Sequence, residues 1–130
     1  MNTCYYRNIK PYVNQELENA KNAKMQDNPA AEFKHLENAH VLGQASTILH
    51  TKAHVLMLFW AIRQVNVKEG LGQVLRIVGA STKTAIGFVP FGNTGGTNVS
   101  LFKVLPVSLE LAAIIAKAKK KHRRVNSTQC

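Results

Sequence analysis

A chain of 130 residues with 45% apolar content can bury one core without staples, which excludes wholesale disorder. Its formal charge of +10 is uneven: residues 1–37 hold five bases and five acids, whereas residues 38–130 hold twelve bases and only Glu69 and Glu110. Cys4 and Cys130 lie near opposite ends and offer neither a disulfide framework nor zinc-knuckle spacing.

In chain order, Tyr6, Ile9, Val13, Leu17 and Ala20 share one helical face. Pro11 suits only a first turn, so the first helix is expected to start near Lys10. "DNP" at 27–29 ends it, and Pro29 opens a second helix on which Phe33, Leu36, Glu37, His40 and Gln44 line up. Gly43 marks the end of that helix, and Ser46 is placed to cap the next one. The third helix carries His50, His54, Met57, Leu58, Ala61 and Val65 on one stripe. Apolar residues cover most of its remaining surface, which predicts a central helix. Its run "AHVLMLFWAI" is about half the length a bilayer span needs, so no membrane span is expected.

Asn66 and Glu69 resemble a capping box opening a fourth helix, with Leu71, Val74, Leu75, Val78, Thr82 and Ala85 on its buried side. "VPFGNTGGTNVSLFKVLP" then reads as a long loop or short hairpin. Ser108 caps a last helix with Leu111, Ile114, Ile115 and Ala118 inward. The expected fold is all-α, with about five helices in antiparallel hairpins and a long Gly/Pro/Asn-rich loop before the last. Residues 1–116 are expected to form a single domain and residues 117–130 a basic, disordered tail. The polar opening shows no signal-peptide pattern, so a cytoplasmic location is expected.

Three histidines and a glutamate make the candidate site. Glu37 and His40 are spaced i, i+3, and His40 with Gln44 and His50 with His54 are spaced i, i+4, so each pair projects from one helix face. If the chain turns at Gly43–Ser46, Glu37, His40, His50 and His54 can meet as ligands for zinc, nickel, copper or iron, with Gln44 or Thr47 orienting them. If the helix runs straight, His40 and His50 fall about 280° apart around the axis. "HTKAH" lacks the glutamate of a zincin helix, and the single "ENAH" falls short of a di-iron site. The competing structural reading is a polar core network in which the imidazoles bond to Glu37, Gln44, Ser46, Thr47 or Thr51.

Other motifs are weaker. "GASTKT" has Thr82 where a phosphate loop needs glycine. Gly92, Asn93, Thr94, Gly95 and Gly96 could form an anion-binding nest or simply a tight turn. The basic C-terminal half suggests an alternative function, a non-catalytic helical interaction module docking a protein or nucleic acid, with the basic tail 117–130 as the arm for an acidic protein or nucleic acid. A third reading is a small enzyme using the histidines as acid–base groups or to hold a metal hydroxide.

At "LENAHVLGQ", "HTKAHVLML", "GQVLRIVGA" and "VPFGNTGGTNVS", the chain resembles the small bacterial proteins grouped as domain of unknown function 3703, over about residues 12–116. The resemblance implies a bacterial, cytoplasmic protein. Relatives are often encoded among heavy-metal resistance genes, so it also implies a role in metal handling or sensing. It transfers no activity. The family pattern falls here on Glu37, His40, Gln44, His50, His54 and Gly92–Gly96.

Overall fold

The computed structural model describes residues 3–81 and 106–125, and among these the chain is all-α. Five helices are present there: α1 Thr3–Met25, α2 Pro29–Gly43, α3 Thr47–Arg63, α4 Val67–Ser81 and α5 Leu109–Val125. Three-residue turns join the first four, each packs on the next, and α5 returns against α1 and α2. The main core draws Ile9 and Val13 from α1, Ala39 and Leu42 from α2, Leu49 from α3, and Leu111, Ile115 and Ala118 from α5. A smaller cluster of Ala20, Leu36 and Met57 lies alongside it. No described helix is long and apolar enough to cross a membrane.

The helix ends follow local chemistry. Asn28 accepts from the Ala31 amide at 3.0 Å ahead of Pro29, and Ser46 accepts from the Leu49 amide at 3.5 Å. Helices α1 and α3 end alike. Asn28 N–H donates to the Ala23 carbonyl and Asp27 N–H to that of Lys24, while Asn66 N–H donates to Ala61 and Val65 N–H to Ile62. This closure puts Asp27 at φ 52° and Val65 at φ 54°. Aspartate tolerates that left-handed region, but a β-branched side chain does not. Val65 is 82% exposed, so its side chain contributes little packing. Val65→Gly is therefore expected to raise stability by about 1 kcal/mol, read as a higher denaturation midpoint. An unchanged or lower midpoint would count against strain at this turn.

Four expectations need correction or extension. Helix α1 starts at Thr3, not near Lys10, and Pro11 lies inside it. The proline leaves the Arg7 carbonyl without its helical donor, but both residues are exposed, and burial of Tyr5, Ile9 and Val13 outweighs the cost. Helix α3 is not covered on all sides, because it packs mainly on α2 and α4 and leaves Ile48, Phe59 and Ile62 exposed. Helix α4 is turned over relative to expectation. Leu71, Val74, Leu75 and Val78 face outward, and Glu69, Gln73 and Arg76 are buried instead. Helix α5 runs beyond Ala116 to Val125, so most of the basic segment 117–130 continues a helix. The Gly92–Gly96 loop, Thr82 and Ala85 lie outside the described residues.

Candidate metal centre

The turn at Gln44–Ser46 is formed, with Ser46 N–H donating to the Gly43 carbonyl at 2.8 Å. It brings the last turn of α2 against the first turn of α3. Gly43 makes the approach close, because a Cβ there would sit 2.9 Å from Leu49 Cβ and 3.3 Å from the Leu49 carbonyl carbon. Alanine normally stabilises a helix relative to glycine, but this added methyl would meet the next helix near its backbone. Gly43→Ala is expected to cost about 1–2 kcal/mol by pushing the end of α2 away from α3. Chemical denaturation of the variant would check this, and a more stable variant would contradict the close fit.

Across this turn His40, His50 and His54 converge. They are 1–2% exposed, and a ligand nitrogen from each lies within 4.8 Å of the others. Their ring centroids form a nearly equilateral triangle with sides of 4.5, 4.6 and 4.7 Å. His50 and His54 face each other through Nε2 at 3.0 Å. Two nitrogens on one tetrahedral zinc lie about 3.3 Å apart, given zinc–nitrogen bonds near 2.0–2.1 Å, so small ring movements would admit an ion.

Helix α4 closes the far side. His54 Nδ1 lies 2.6 Å from Gln73 Oε1, and Gln73 Nε2 donates to Glu69 Oε1 at 2.6 Å. Glu69 N–H is in turn capped by Asn66 Oδ1 at 3.0 Å. A carboxylate can only accept, so it holds the Gln73 amide nitrogen, which turns the amide oxygen toward His54. Nδ1 of neutral His54 must then donate, leaving a lone pair on Nε2 aimed at His50. With no ion between the rings, His50 Nε2 must supply a proton to that hydrogen bond. His50 Nδ1 has no hydrogen-bond partner among the described residues.

Burial dominates the electrostatics. It pushes His50 down to about 4 and His54 down to about 3. At His54 the neighbouring His50 and Arg76 add to the fall, and the Gln73 hydrogen bond opposes it. Burial also lowers Arg76 from its usual value, and the Glu69 carboxylate pulls it back up. At neutral pH, His50 and His54 are therefore uncharged, the state metal binding requires of an imidazole.

Glu37 is outside the group whose ligand atoms converge and pairs with Lys34 at 3.8 Å. Gln44 is buried at the end of α2, and Thr47 opens α3 partly buried. His35 lies elsewhere, 2.8 Å from Glu16 of α1. Gln73 and the inward role of Glu69 escaped sequence reading, which assigned Glu69 to a cap. Their signal was the i, i+4, i+7 spacing of Glu69, Gln73 and Arg76 on the face opposite the apolar stripe.

The sequence model of a family described as "Protein of unknown function (DUF3703)" matches residues 7–115. No curated protein and no solved structure matches the chain.

Proposed function

The chain belongs to the DUF3703 family, which carries no activity to transfer, and from its own residues we propose that it binds one divalent transition-metal ion through His40, His50 and His54. The supporting observation is the convergence of three buried imidazoles with ligand atoms within 4.8 Å. Imidazole ligands suit zinc, nickel, copper or iron better than magnesium or calcium. Gln73 acts as the orienting partner that a ligand histidine ordinarily has, and Glu69 polarises it through the amide.

The fourth ligand should be negative. Three neutral histidines cancel none of the ion's charge, and Arg76 opposes a cation while Glu69 favours one. Glu37, one turn before His40 on α2, is our candidate for that ligand, released from its long ion pair with Lys34. Burial of the histidines favours holding an ion over turning over a substrate, since catalytic sites keep an open position reachable from a cleft. We therefore read the protein as an accessory or sensor in metal handling.

Gln73, which orients His54, and Glu37, the candidate fourth ligand, provide the test. Gln73→Leu should lower zinc affinity by about 10–100-fold, and Glu37→Gln by about tenfold, with the fold retained. Competition against a chromophoric chelator measures both, and circular dichroism checks the fold. Wild-type affinity in folded Gln73→Leu would remove the assigned role of α4 in the site.

A further inference from the structure

Helix α4 carries a core-type stripe on its outside. Val67, Leu71, Val74, Leu75 and Val78 are 69%, 65%, 45%, 71% and 62% exposed, while its opposite face buries Glu69, Gln73 and Arg76. At about 100° per residue, the five apolar positions fall within an arc of about 100°, the width of a stripe that normally faces a core. Val67, Leu71, Val74 and Val78 also follow the alternating four- and three-residue steps of a coiled-coil seam. Among the described residues of α4, Lys68 is the only exposed charge.

We propose that this stripe is an interface with a second copy of the chain. A twofold contact sets the same surface against itself, and a stripe that is apolar along its length is self-complementary without charge conflict. The five side chains present on the order of 500 Å² per copy, so a pair that covers them fully would bury about 1,000 Å², the lower limit for a biological interface and the size of a weak, reversible dimer. An outward stripe also resolves why α4 turns its polar face inward. The polar side meets His54 and the apolar side meets the partner, so no part of the helix is left unsuited to its surroundings. This inference does not depend on metal binding.

Light scattering on the untagged full chain during size exclusion tests it. The expected mass is twice the 14.4 kDa of one chain. Leu71→Glu and Leu75→Glu should each return the single-chain mass with helical circular dichroism intact. Met25→Glu, at an exposed position on the end of α1, should stay double. If a glutamate variant loses helicity, Leu75→Gln serves in its place and should raise the dimer dissociation constant at least about tenfold. A wild-type mass of one chain would overturn the proposal. Helical stripe variants that keep the double mass would also overturn it.

Discussion

Replacing His50 with leucine is expected to lower zinc or nickel affinity at least about 100-fold while leaving the metal-free fold within about 1 kcal/mol of wild type at pH 7.5. The two effects separate because His50 serves a ligand site better than it serves the core. Its Nδ1 finds no partner among the described residues, and its Nε2 meets another imidazole. Leucine adds apolar burial of similar volume, which offsets the hydrogen bond that His54 Nε2 would no longer receive. His54→Leu should behave differently. His54 anchors Gln73 and, through it, Glu69, so its removal takes a hydrogen bond from buried polar groups on α4 and destabilises the metal-free protein by about 2 kcal/mol. Denaturation of the apo variants beside metal titration would reveal the contrast. Equal destabilisation by both substitutions, with metal affinity intact, would make the trio a core network and nothing more.

Acid is expected to unfold the metal-free protein from about pH 6.5 downward. In the unfolded chain His50 and His54 titrate near 6.5, whereas the fold holds them down to about 4 and about 3 by burial. Between those values the unfolded chain binds protons that the fold refuses. Stability is thus fully present above about pH 6.5 and is lost as the pH falls toward 4 and then 3. Each histidine contributes up to about 1.4 kcal/mol per pH unit, so the pair can exhaust a marginal domain before pH 4. Melting temperatures between pH 8 and pH 4 would trace this limb. His50→Leu should flatten it and exceed wild type in stability at pH 5. Saturating zinc should raise the melting temperature at pH 7.5 by mass action, with the gain fading as protons compete for the same nitrogens. A melting temperature that stays level from pH 7 to pH 5 would contradict the burial of two neutral imidazoles.

How much of this was legible in the sequence depended on which physical signal each feature left. The histidine trio could be read as a candidate because helical spacing fixes which side chains share a face, but Gly43 and Ser46 only suggested the turn that joins the two faces, and a straight helix stayed open until the structure showed that turn formed. Glu37 shares the spacing, but a carboxylate partly open to water is drawn to a neighbouring lysine as readily as to a buried site. Helix α4 was misread because periodicity identifies a stripe without saying which way it points. Apolar stripes usually point inward, and here the direction is set by Gln73 and Glu69 meeting His54 on α3. No signal in α3 alone announces that partner. Pro11 misled for a related reason, since a local rule about amides was overridden by the burial of Tyr5, Ile9 and Val13 on the opposite side of the same helix.

Calorimetric titration of zinc into untagged, metal-free protein at pH 7.5 tests most directly whether His40, His50 and His54 bind an ion together. The protein must be untagged because a histidine tag would itself take up metal. Saturation is expected at about one ion per chain, with proton release small because His50 and His54 are already neutral. A titration with no saturable heat, or one that His50→Leu leaves unchanged, would contradict a metal centre at this turn.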